Sequence, residues 1–105
     1  MDKVKDSFSN ETEFQTWANG VLTKLGVHYH HISSKNRYVK RGIFDLLCWY
    51  NGRSFCIELK QPSKTFRPEQ RIEYQTLRKH KIGAYLVYNK TEFLNALKRE
   101  KVLIK

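Results

Sequence analysis

Between Ser9 and Gly26 the apolar residues Phe14, Trp17, Val21, Leu22 and Leu25 recur at spacings of three and four, which predicts an amphipathic helix. Ser9 or Asn10 can cap it, Glu11 and Glu13 place negative charge in its first turn, and Gly26 can close its end. Gly20, inside that stripe, costs roughly 1 kcal/mol relative to Ala and is read as the site of a close packing contact. The following segment, 27–33, is β-prone, and Ser34 to Arg41 reads as a polar loop of net charge +4.

A hairpin follows. Ile43 to Tyr50 is apolar except for Asp45, Ser54 to Leu59 is apolar except for Ser54 and Glu58, and Asn51-Gly52 between them is the strongest short signal for a two-residue type I′ turn. Such a turn fixes the register, so that opposed residues have numbers summing to 103. Tyr50 then faces Arg53, Leu47 faces Cys56, and Asp45 faces Glu58. Cys48 and Cys56 fall on opposite faces of the sheet, which argues against a bridge between them.

Residues 61–67 form a loop, and Pro68 at a first helical position starts a second helix running to about His80, with Ile72 and Leu77 among its core candidates. Ala84 to Tyr88 reads as a buried strand, Asn89 as a turn, and Thr91 as the cap of a last helix carrying Phe93, Leu94 and Leu97. Val102, Leu103 and Ile104 suggest a short terminal strand. The order is αβββαβα, an α/β fold with a mixed central sheet flanked by helices, and there are no internal repeats or linkers.

Length and composition narrow the class. With 105 residues, one hydrophobic core and a single domain over 1–105 are expected, with residues 1–8 flexible. The 40% hydrophobic content, five Gly and two Pro exclude a disordered chain. No apolar run approaches the roughly 18–20 residues of a membrane span, and the N-terminus leads into no secretory h-region. A cytoplasmic setting is therefore expected, bacterial or in a virus-infected host, or the nucleus in a eukaryote. In such a compartment the two cysteines read as buried thiols.

Charge changes the picture more. The net +10 implies a polyanionic partner, with nucleic acid first. Residues 1–35 hold four basic and four acidic side chains, whereas 36–105 hold sixteen basic and six acidic, so the excess lies wholly in the later two thirds. Arg37, Lys40 and Arg41 before the first hairpin strand are the foremost phosphate-contact candidates, followed by Lys64 and Arg67.

The chemistry concentrates in Asp45, twelve residues, then Glu58-Leu59-Lys60. Strand residues two apart share a face, so Glu58, Lys60 and, by the register, Asp45 project from one surface. Two carboxylates about 5 Å apart in an apolar sheet do not both stay ionised without compensation. A divalent cation supplies it, and Mg²⁺ characteristically binds through one or two carboxylates plus water and phosphate oxygens. The plainer reading is an exposed ion pair on a strand beside an unrelated acid. His28, His30 and His31 lack the ligand count and spacing of a zinc site and read as packing or DNA-facing residues.

Glu11 to Gln15 at the start of the first helix, Gly42-Ile43-Phe44-Asp45, Glu58-Leu59-Lys60, and Pro68-Glu69-Gln70 together resemble the VRR-NUC (virus-type replication-repair nuclease) branch of the PD-(D/E)xK nucleases. Phe44 stands where that family usually has Pro. The resemblance spans nearly the whole chain and implies the family's restriction-endonuclease-like core. It further implies that Asp45, Glu58 and the backbone carbonyl of Leu59 ligate Mg²⁺ or Mn²⁺, and that Lys60 orients or activates water or stabilises charge on the phosphate. Glu11 corresponds to the family's helical acid, holding metal directly or through water, with Glu13 the rival about 200° around the helix. Gln70 would contact the scissile phosphate or a water.

The expected function is a metal-dependent DNA endonuclease needing no small-molecule cofactor, leaving 5′-phosphate and 3′-hydroxyl ends. A chain this short has little room for a base-reading domain, so shape is the expected determinant: branched DNA, cut by a homodimeric Holliday junction resolvase of viral origin or from DNA repair and recombination. The segments around Trp17 and Val102 to Ile104 are the expected dimer contacts. The alternatives are a nucleic-acid-binding module that does not cut, a nickase acting on flaps or single strands, and an RNA substrate.

Overall fold

The computed structural model describes residues 6–32, 42–62 and 64–104. Its elements run α1 (Glu11–Lys24), β1 (His28–His31), β2 (Leu46–Tyr50), β3 (Arg53–Leu59), α2 (Pro68–Lys79), β4 (Gly83–Val87) and α3 (Lys90–Arg99). This is the αβββαβα order. The four strands lie in the order β1-β2-β3-β4, with β1, β2 and β3 antiparallel and β4 parallel to β3 after the α2 crossover.

The hairpin has the register that a two-residue turn dictates, with Tyr50 opposite Arg53 and Leu47 opposite Cys56. Asn51 and Gly52 both take positive φ, 52° and 80°, as a type I′ turn requires.

Alternation along the strands divides the sheet into two faces. Leu46, Cys48, Phe55, Ile57, Leu59 and Val87 point to one, where Phe14, Ala18 and Leu22 of α1 and Phe93, Ala96 and Leu97 of α3 cover them. The second face is covered by α2 over β3 and β4, where Phe44, Cys56 and Ala84 meet Phe66, Tyr74, Leu77 and Ile82. Arg78 ties α2 down by donating to the Ala84 carbonyl at 2.7 Å. Both cysteines are buried, unbridged and on opposite faces, and burial raises the Cys48 thiol to about 12 and the Cys56 thiol to about 11.

Several expectations are corrected. Of the two cap candidates for α1, Asn10 is the one used, accepting from the Glu13 N–H at 2.9 Å. Gly20 is exposed, and a Cβ there would meet nothing within 4 Å, so no packing contact explains it. Ile72 is 65% exposed. The inward face of α2 runs through Gln70, Tyr74 and Leu77, and Ile72 lies two residues, about 200°, from Gln70. Asn89 caps α3 by accepting from the Glu92 N–H, while Thr91 bonds Asp6 through both its N–H and its hydroxyl. The segment from Val102 to Ile104 is not a strand: the Val102 N–H returns to the Leu97 carbonyl in the turn that ends α3. Among the described residues no helix is long and apolar enough to cross a membrane.

Candidate active site

The hairpin register continues one step beyond Leu46 opposite Ile57 and brings Asp45 against Glu58. The two side chains are bound into each other's backbone. The Asp45 N–H donates to Glu58 Oε1 at 3.0 Å, and the Leu59 N–H donates to Asp45 Oδ2 at 3.0 Å. Asp45 is 7% exposed and Glu58 3% exposed, so this pair of acids lies inside the fold.

Burial sets the electrostatics. Desolvation, then the charge of Glu58, raises the Asp45 pKa from 3.8 to about 7, against the stabilising Leu59 N–H. The charge of Glu11 adds to the rise and that of Lys60 opposes it. Of the two helical acids weighed from the sequence, Glu11 is thus the one whose field acts on Asp45. Glu13 turns its backbone N–H to the Asn10 cap.

Lys60 lies just past the end of β3, and its backbone N–H extends the parallel ladder to the Val87 carbonyl at 2.9 Å. Its Nζ stands 3.3 Å from Glu58 Oε2. That same oxygen accepts from Gln70 Nε2 at 2.7 Å. Gln70 Oε1 in turn accepts from the Arg67 N–H at 3.1 Å, so both ends of the amide are engaged and the residue is 1% exposed. The expected contact of Gln70 with phosphate or water gives way here to an inward role: the first turn of α2 fixes the Glu58 carboxylate. Nothing in the sequence separates a buried Gln near a helix start from a solvated one.

Gly42 makes this arrangement possible. It takes φ +92°, and a Cβ on it would lie 2.6 Å from the backbone oxygen of Glu69. The segment leading from Gly42 to Asp45 therefore passes directly against the first turn of α2, one residue from Gln70.

Asp45, Glu58, Lys60 and Gln70 come together, and Leu59 joins them through its backbone N–H. Lys64 and Arg67 lie exposed on the segment between Lys60 and Gln70. Arg37, Lys40 and Arg41 lie outside the described residues. Among the described residues no group of three His, Cys, Asp or Glu side chains forms a metal cluster. The site instead offers two hard carboxylates that repel each other in a dry setting. A divalent cation completed by water and phosphate oxygens fits that donor set and offsets the repulsion that raises the Asp45 pKa.

The same face carries a second group that the sequence pattern left incomplete. His28 and His30 do share a face of β1, but Trp49 of β2 stands opposite His28 and completes a ring cluster with them. The Asn51-Gly52 turn fixes only the β2–β3 register; β1 joins β2 through a long connection, so nothing in the sequence sets Trp49 opposite His28.

The fold is that of a solved structure titled "VRR_NUC domain", with a TM-score of 0.70, 21% identity, and coverage of 84% of this chain and 94% of that one. No protein-family model and no curated protein matches the sequence.

Proposed function

We propose that this chain belongs to the VRR-NUC branch and is a metal-dependent nuclease of the PD-(D/E)xK type that hydrolyses phosphodiester bonds in DNA. The observation that carries this reading is the buried pair of Asp45 and Glu58, joined through each other's strands, with Lys60 Nζ 3.3 Å from Glu58. An acid pair serving stability alone would be a poor choice, since burial and mutual charge raise Asp45 to about 7. The shared fold with the VRR_NUC domain supports the same reading.

In this mechanism Asp45, Glu58 and the Leu59 carbonyl would hold Mg²⁺ or Mn²⁺, with Glu11 contributing directly or through water. When bound, such an ion would supply Lewis-acid stabilisation of the phosphate and a water of lowered pKa. Glu58 is held in one rotamer by Gln70 and the Asp45 N–H, so the ligand geometry is set before substrate arrives. Lys60 orients the attacking water or offsets the negative charge growing on the phosphoryl oxygens. Lys64 and Arg67 contact the flanking backbone, and Arg37, Lys40 and Arg41 take the same role from the basic segment before Gly42.

The finer reading is a structure-selective homodimer that resolves four-way junctions, one site per strand. An apolar groove of about 580 Å³ lined by Trp17, Val21, Leu25, Tyr50, Leu94 and Leu103 includes both segments expected at the dimer contact. Light scattering at working concentration tests this, and a monomer removes it.

The test of activity is cleavage of an end-labelled four-way junction beside a linear duplex, in Mg²⁺, Mn²⁺ and EDTA, with Glu58→Ala as control and circular dichroism to verify its fold. Metal-dependent paired cuts in the junction, lost in the variant, are the expected result. Tight binding in EDTA with no cutting in any metal replaces the enzyme by a binding module, and single nicks replace the resolvase by a nickase.

A further inference from the structure

His28, His30 and Trp49 form a near-equilateral group of rings. Their centroids lie 5.2 Å apart for the histidine pair and 5.4 Å from each histidine to the indole. The interplanar angles to Trp49 are 42° for His28 and 87° for His30. Both histidines are exposed, and Trp49 is 39% exposed, on the part of the second sheet face that lies beyond the β3 and β4 strands under α2.

The position of this group relates it to the acid pair. Trp49, Leu47 and Asp45 alternate along one face of the β2 segment, and His30 stands opposite Leu47. At about 3.3 Å per residue, Trp49 is about 13 Å from Asp45 along the strand and the His30 row about 7 Å. The rings and the carboxylates are therefore neighbours on one face of the sheet, the rings exposed and the carboxylates buried, on a chain of charge +10.

We propose that His28, His30 and Trp49 are a stacking platform for an unpaired base next to the phosphodiester that is cut. This rests on the nuclease reading and, within it, favours DNA with unpaired nucleotides beside the scissile bond over the fully paired four-way junction. A base within a duplex has both faces covered by its neighbours, whereas an unpaired base offers a π-face to an exposed indole. Rings already ordered on two paired strands lose little freedom on binding, which favours them over long flexible side chains for this task. The bland role for such a cluster, stiffening the β1 edge, predicts a loss of stability when it is removed and no dependence on DNA structure.

The test compares binding of a labelled duplex with a single-stranded flap and of the same duplex fully paired, without divalent metal, for wild type, Trp49→Phe, Trp49→Ala and His30→Ala. Thermal melts confirm folding in each case. Wild type is expected to prefer the flap, Trp49→Phe to keep most of that preference, and Trp49→Ala to lose roughly 5- to 150-fold on the flap, the loss of one stacked base, with little change on the duplex. If Trp49→Ala does not fold, His30→Ala carries the same comparison. Wild type that binds both DNAs equally, or variants that lose both equally or neither, overturn the platform. Metal-dependent cleavage by wild type decides the other question separately: cutting with no flap preference retains the nuclease and removes the platform, and a Trp49-dependent preference without cutting does the reverse.

Discussion

Gln70 Nε2 donates to Glu58 Oε2 at 2.7 Å, joining the first turn of α2 to the strand residue at the centre of the acid pair. The contact makes α2 part of the site, because the helix holds the carboxylate that its own basic flank would bring to phosphate. Gln70→Ala is therefore expected to act twice. A buried carboxylate loses a hydrogen bond, a cost of about 1.5–3 kcal/mol seen in chemical denaturation. Activity falls as well, chiefly in kcat, because Glu58 gains rotamer freedom. A variant with wild-type kcat would mean that Lys60 and the Asp45 N–H suffice to hold Glu58.

The Asp45 carboxyl leads to a pH prediction with a definite sign. Its pKa is 3.8 in the unfolded chain and about 7 in the fold, so between those values the native state binds more protons than the unfolded one. Its contribution therefore falls as pH rises from about 4 to about 7. Asp45→Asn removes the titration, so the variant should gain on wild type across that window, by no more than about 4 kcal/mol, as measured by denaturant melts at pH 4 and pH 8. Adding Mg²⁺ at pH 8 should stabilise wild type and leave Asp45→Asn unmoved, since metal binding and deprotonation are linked. Equal pH profiles for the two proteins would show that Asp45 does not carry the shift.

Two glycines give opposite outcomes for one substitution. Gly20 is exposed in the middle of α1, and an added Cβ has open space, so Gly20→Ala should stabilise by about 1 kcal/mol and raise Tm by roughly 4–8 °C. Gly42→Ala combines a positive φ with a Cβ 2.6 Å from the Glu69 oxygen, and either α2 or the Asp45 segment must move. It should destabilise by at least about 2 kcal/mol and impair activity together. A neutral Gly42→Ala would show that the close approach to α2 is not needed.

These features differ in how far the sequence revealed them. The opposition of Asp45 and Glu58 was readable because a two-residue Asn-Gly turn leaves no slack, so every pair in the hairpin follows from one position. The αβββαβα order was readable from periodicity. Gln70 was not, because its burial depends on how α2 lies across β3, and that is decided by Phe66, Tyr74 and Leu77 meeting Phe44 and Cys56. Thr91 was read as the cap of α3 in place of Asn89 for a related reason: both are capping residues, and Thr91 is claimed by Asp6, 85 residues away in sequence. The apolar run from Val102 to Ile104 suggested a strand, but the turn closing α3 takes the Val102 N–H first.

The basic residues around the site are best tested by salt. A residue that contacts a phosphate adds about 0.9 to the slope of log K against log salt on duplex DNA, whereas a residue that only raises the general positive field changes affinity with little effect on counterion release at the site. Lys64 and Arg67 flank the chain between Lys60 and Gln70, so replacing both by Ala should flatten the slope by about 1.8. Replacing Arg37, Lys40 and Arg41 together should flatten it by about 2.7 if all three touch phosphate. Thermal melts serve as the check, since Arg67 caps α2 through its backbone and its side chain can be removed without losing the Arg67 N–H bond to Gln70. An unchanged slope in either variant would remove that group from the DNA contact, and an unchanged slope in both would place the phosphate track elsewhere on the molecule.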